Sequence, residues 1–243
     1  MPRKTNRAAD RRGARRPGAV RNRILAALLL AGLIGGAWAW WHLHHWTPLR
    51  TQFGVQGVEI GASDGAVSFT SLKAIGADFA YIDASVSAFA RDPMFVTNFE
   101  KARATKLQVG AVHRYDPCQP ADRQAANFVT TVPRDAALLP PAVELDMLAD
   151  GCPVKVTDAK VESELMTFLN QVETHTGKPT VLKITKAFEA RYGVARKLDR
   201  NLWLVEDRMQ PDYAGRPWTL WTANSALANE VSEAGLRWVV VQR

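Results

Sequence analysis

The stretch "PPAVELDMLADGC", Pro140–Cys152, sets an apolar run against two carboxylates, Glu144 and Asp146, one residue apart. Ala142–Leu145 has the length and composition of a buried strand, and the prolines ahead of it mark where it starts. Side chains on a strand alternate between faces. Glu144 and Asp146 therefore point one way, and Val143 and Leu145 point the other.

Seven further runs share this character: Val58–Ile60, Phe79–Asp83, Val109–His113, Thr180–Ile184, Leu202–Val205, Thr219–Trp221 and Trp238–Val241. Helical patterns separate the early ones, around Phe69–Ile75, Phe95–Lys106, Ala121–Val132 and Ala159–Thr176, with a fifth over Lys186–Leu198. In Ala159–Thr176 the residues Val161, Leu165, Phe168, Leu169 and Val172 form one apolar stripe. Strands alternating with helices predict an α/β fold on a parallel sheet. Eight strands in this length predict a closed, TIM-like β/α barrel with about five helices, its last helices trimmed; an open doubly wound sheet is the alternative. No glycine-rich phosphate loop follows any strand, so nucleotide binding has no support.

The 243 residues carry a net charge of +7, but the charge is uneven. Nine of the 31 Lys and Arg residues lie in the first 23 positions, with Asp10 the only acid there. The rest is near neutral, which argues against a nucleic-acid partner. Residues 24–41 hold no charge and reach the length of a spanning helix, with arginines before them and Trp38, Trp40, Trp41 and Trp46 at the far end. This predicts a basic cytoplasmic tail (1–23), a single-pass inner-membrane anchor (24–41), a linker (42–54) and a periplasmic barrel domain (55–243). A cleaved signal peptide is the alternative, because Ala37-Trp38-Ala39 loosely fits a cleavage site. In an exported domain the two cysteines, Cys118 and Cys152, suggest a disulfide. No metal site is expected, since the only clustered histidines, His42, His44 and His45, flank the apolar segment.

At the C-terminal end of a barrel strand the inward face opens onto the mouth where such folds place their sites. Glu144 and Asp146 are expected there, joined by Glu59, Asp83 and His113 from the first three strands. Tyr115 and Asp116 follow on the rim as candidate substrate contacts, although an Asp before Pro117 also suits a turn. Several carboxylates around a groove suit glycoside hydrolysis, in which one carboxyl protonates the leaving oxygen and another stabilises the cationic transition state. The bland reading is a solvated strand edge. Trp203, Trp218, Trp221 and Trp238 are expected in the core more than on sugar.

The ordered segments "GVEIGASDG", "LKAIGADFAYIDAS", "FVTNFEKARATKLQVGAVHRY", "ANFVTTVP", "LPPAVELD", "VETHTGKPTVL", "LWLV" and "PWTLW" resemble glycoside hydrolase family 25, the lysozyme-like muramidases, over about residues 55–243. The resemblance implies an eight-stranded barrel with five helices. It also implies cleavage of the bond between N-acetylmuramic acid and N-acetylglucosamine in peptidoglycan, without a cofactor. It makes Asp146 the general acid, with Glu144 and Glu59 orienting substrate or stabilising charge, and His113 near them. The carboxylates are altered in length: "ELD" stands where the family has Asp-x-Glu, and Glu59 where it has Asp. Several groove positions also depart, so a barrel that binds glycan or an envelope protein without cutting is the alternative function.

Overall fold

The computed structural model describes residues 17–232 and 234–242. The first 16 residues, most of the expected cytoplasmic tail, lie outside the described residues. The chain divides into two units, one ending at Leu43 and one beginning at His44. In the first, helix α1 (Pro17–His44) contains a stretch, Arg21–His44, that is long and apolar enough to cross a membrane or to serve as a signal sequence.

The second unit is a closed mixed barrel. Strands β1 (Gln56–Ile60), β2 (Phe79–Val86), β4 (Gln108–Arg114), β5 (Ala142–Leu145), β6 (Val181–Ile184), β7 (Leu202–Val205) and β8 (Leu220–Leu227) run parallel, each beside the next. Strand β9 (Leu236–Val241) is antiparallel to β8 and to β1 and closes the ring. A two-residue strand, β3 (Ala90–Arg91), pairs antiparallel with the end of β2. All eight strands expected from sequence are present. The antiparallel β9 departs from a wholly parallel barrel because residues 228–235 are too few for a crossover, which needs a dozen or more.

Helices α2 (Phe69–Ala74), α3 (Phe95–Ala104), α4 (Ala121–Thr131) and α5 (Asp158–Thr176) connect the early strands. Thr157 caps α5 by accepting from the Lys160 amide at 3.3 Å. The predicted α5 stripe is buried along its whole length. Burying each such side chain contributes about 1.5–3 kcal/mol, which makes this face the helix's main attachment. The helix expected over Lys186–Leu198 is two, α6 (Lys186–Tyr192) and α7 (Val194–Lys197). Gly193 breaks it with φ 61°, a conformation that a side chain would resist.

Strand parity sorts the core into two layers. One face of the strands packs against the helices through Val58, Ile82, Ala111, Leu145, Ile184 and Leu204, among others. The other face fills the barrel with Phe79, Tyr81, Val112, Ala142, Val181, Trp203, Leu220 and Val239. Trp203, Trp218, Trp221 and Trp238 are all buried, as core packing requires. The segment expected as a linker lies against the barrel from Trp46 to Phe53. Trp46 packs on Trp221 at 6.3 Å and Phe53 on Trp218 at 6.1 Å, and Asn224 donates to the Trp46 carbonyl.

Candidate active site

Above the apolar filling of the barrel lies a layer of charge. Glu59 from β1 is fully buried, and Lys183 from β6 is 4% exposed. These strands are not neighbours, so the Lys183 ammonium crosses the barrel to donate to both Glu59 oxygens at 2.7 Å. It also donates to Glu144 Oε1 at 2.6 Å, across the β5–β6 ladder where the two residues are directly paired. Its third neighbour is Trp203, whose ring centre lies 5.3 Å away. Arg237, paired with Glu59 across β1 and β9, reaches Glu59 at 3.2 Å and both Asp64 and Asp83 at 2.9 Å. Asp64 is fixed by the Gly61 amide, which donates to it at 2.6 Å.

Nearer the rim, Arg114 at the end of β4 clamps Asp146. Its Nε lies 3.1 and 2.9 Å from the two carboxylate oxygens, and its terminal nitrogen also donates to Asp146. Glu144 Oε2 is 3.9 Å from the same guanidinium. Among the described residues these contacts join five carboxylates (Glu59, Asp64, Asp83, Glu144, Asp146) to three cations (Arg114, Lys183, Arg237).

The electrostatics follow from this pairing. Burial alone would raise the Glu59 carboxyl, but Arg237 and then Lys183 overcome it and hold Glu59 below the usual range. Asp83 goes the other way. Burial and then the Glu59 charge push it up to about 7, against the opposing pull of Arg237 and Lys183. Burial alone would lower the Lys183 ammonium, but Glu59 and Glu144 together keep it raised and charged.

Glu59, Glu144, Asp146 and Asp83 thus converge on the mouth as the sequence placed them. His113 and Tyr115 do not, and their expected positions are corrected. Val112 and Arg114 are the inward residues of this strand, so His113 and Tyr115 turn toward the helices. His113 is fully buried, stacks on Phe168 with ring centres 4.7 Å apart, and bonds Ser85 Oγ at 2.8 Å and Gln124 Oε1 at 3.4 Å. Burial lowers its pKa to about 4. Tyr115 is likewise buried, edge-on to Phe168, and burial raises its hydroxyl above its ordinary range. Asp116 accepts from Ser87 Oγ and the Cys118 amide, both at 2.8 Å. It organises the turn and is 9% exposed, which corrects its expected place as a rim contact. Next to it Cys118 and Cys152 form the disulfide, tying together the loops after β4 and β5.

Sequence reasoning missed the three cations. The available signal was a single charge inside an otherwise apolar strand: Lys183 in "TVLKI", and Arg237 in "LRWVVV". Among the described residues no cluster of His, Cys, Asp and Glu has the makings of a metal site.

The family model for glycosyl hydrolases family 25 matches residues 58–227. Among curated proteins, the chain is similar to the uncharacterized protein YegX of Escherichia coli strain K12, 26% identical over 145 residues. That match takes in 59% of this chain and 51% of the relative, so the chain spans about half the length of the curated relative it matches. Among solved structures it is similar to a family 25 glycosyl hydrolase from Bacillus anthracis, with a TM-score of 0.74 and 23% identity over 82% of this chain and 93% of that one. A bacterial lysozyme from Streptomyces coelicolor gives 0.68 and 20% over 78% and 92%. A lysozyme of the same family from Aspergillus fumigatus gives 0.66 and 21% over 78% and 94%. At these identities the structures speak for the fold alone, but the family model covers well over half of the chain: this protein belongs to glycosyl hydrolases family 25.

Proposed function

We propose that this protein is a peptidoglycan hydrolase of the muramidase type, cutting between N-acetylmuramic acid and N-acetylglucosamine. It would be held at the inner membrane by α1, with its N-terminus in the cytoplasm and its barrel in the periplasm. The observation that carries the reading is the convergence of Glu59, Glu144, Asp146 and Asp83 at the C-terminal mouth of a family 25 barrel. Glu144, whose side chain is 19% exposed, opens to the mouth and would stabilise the positive charge that develops as the glycosidic bond breaks, while Glu59, fully buried, acts through the groups it contacts. The resemblance makes Asp146 the general acid. To serve as one it must leave the Arg114 clamp, which now supplies donors to both of its oxygens.

A second reading, a barrel that holds peptidoglycan without cutting it, is favoured by one specific observation. Lys183 lies between Glu59 and Glu144, where a hydrolase uses negative charge. A digest of purified peptidoglycan by the full-length protein in detergent separates the two. New reducing ends on the released fragments mean hydrolysis. Co-sedimentation with the glycan without release means binding alone.

A further inference from the structure

All five mouth carboxylates meet a cation: Glu59 meets Lys183 and Arg237, Glu144 meets Lys183, Asp146 meets Arg114, and Asp64 and Asp83 share Arg237, with the Gly61 amide also on Asp64. Asp83 is different. Its Oδ2 accepts from Arg237 at 2.9 Å, but its Oδ1 is buried and, among the described residues, meets no donor. Gly61 packs so closely on this carboxyl that a side chain there would collide with Asp83 Oδ2. The register of the sheet slips between Asp83 and Ser85, so that Ser85 pairs with His113 while Asp83 stays in the mouth. A buried carboxyl oxygen without a donor, set beside the charged Glu59, is satisfied most simply by carrying a hydrogen and donating it. About a quarter of the side chain, 27%, remains open to the mouth.

We infer that Asp83, and not Asp146, holds the transferable proton of this site and delivers it to the glycosidic oxygen. The inference rests on the hydrolytic reading above. In the resting site the proton sits on Oδ1 against Glu59. Rotation about the terminal torsion, which is broad for Asp, turns it to the mouth. As the bond from the anomeric carbon to the glycosidic oxygen breaks, that oxygen takes the Asp83 proton and leaves as a hydroxyl. Water then adds to the anomeric carbon and gives a proton back to the Asp83 carboxylate, so the site is restored. Glu59, charged and beside Asp83, disfavours a second negative charge there until the leaving oxygen draws the proton off. The charged groups facing Asp83 are Glu59 on β1, Asp64 in the turn after it, Arg114 on β4, Lys183 on β6 and Arg237 on β9. The rise of Asp83 to about 7 is in keeping with a proton held there near neutral pH.

The test is infrared spectroscopy of the full-length protein in detergent, with and without ¹³C at the aspartate carboxyls, beside peptidoglycan hydrolysis across the same pH range. The expected result is a neutral carboxylic-acid band that moves with the aspartate label, fades as pH rises through about 7 and is missing in Asp83→Asn. Hydrolysis should fall about 10²- to 10⁴-fold in Asp83→Asn, with part of it and a displaced pH limb restored in Asp83→Glu. A band that ignores the aspartate label overturns the inference without requiring any variant to fold. So does hydrolysis by Asp83→Asn with the wild-type pH profile. Wild-type protein that shows the band and releases nothing at any pH overturns the hydrolytic reading itself, and proton delivery with it.

Discussion

Lys183 enters an otherwise apolar strand and crosses the barrel to lie between two glutamates. Removing one partner of a buried ion pair leaves the other charge uncompensated, which typically costs about 3–5 kcal/mol. Lys183→Met is therefore expected to lose about that much stability in urea unfolding, because Glu59 and Glu144 would then face each other without the ammonium. Adding Glu59→Gln should return part of the loss. If Lys183→Met unfolds at the wild-type midpoint, the network is not what holds the mouth together. The same residue shows how far the sequence could be read. Glu59, Glu144 and Asp146 were legible as mouth residues, because strand parity and the C-terminal ends of strands fix where they point. Their partners were not, because nothing in a linear sequence says which strands lie opposite each other in a closed ring.

At the scale of elements, the layer between β4, α4 and α5 is built around His113. The eight strands and the α5 stripe were readable because periodicities of 2 and 3.6 need no tertiary knowledge. The facing of β4 was not, because its last turn toward the mouth belongs to Arg114, one residue beyond the candidate run, and β2 beside it slips register at Ala84. His113 carries a pH signature that follows from its burial. Its folded pKa is lowered to about 4 from an ordinary 6.5, so below pH 6.5 the unfolded chain takes up a proton that the folded chain refuses. Stability contributed by neutral His113 is full above 6.5 and falls as the pH drops toward 4, by on the order of 3 kcal/mol. Urea unfolding of wild type across that window should show the slope, and His113→Gln should flatten it while lowering stability throughout. An unchanged slope in the variant would mean that another group titrates there. The disulfide between the β4 and β5 loops, with its 34-residue separation, adds about 3–4 kcal/mol in the chain-entropy model and braces the loops that carry the mouth.

At the scale of the whole molecule, one chain carries both a charged barrel mouth and an apolar N-terminal helix. If α1 is an uncleaved anchor, the protein should stay with membranes through an alkaline carbonate wash, and its intact mass should include the N-terminal segment. A mass short by about forty residues would establish a cleaved signal peptide instead. Hydrolysis is decided by a digest of purified peptidoglycan with full-length protein in detergent, run beside Glu59→Gln. Wild type is expected to release fragments with new N-acetylmuramic acid reducing ends, and the variant at least about 10²-fold fewer, because the Glu59 charge that keeps the proton on Asp83 is lost. Wild-type protein that sediments with the glycan but releases no new reducing ends would contradict hydrolysis, and would make this barrel a reader of the wall in place of a cutter.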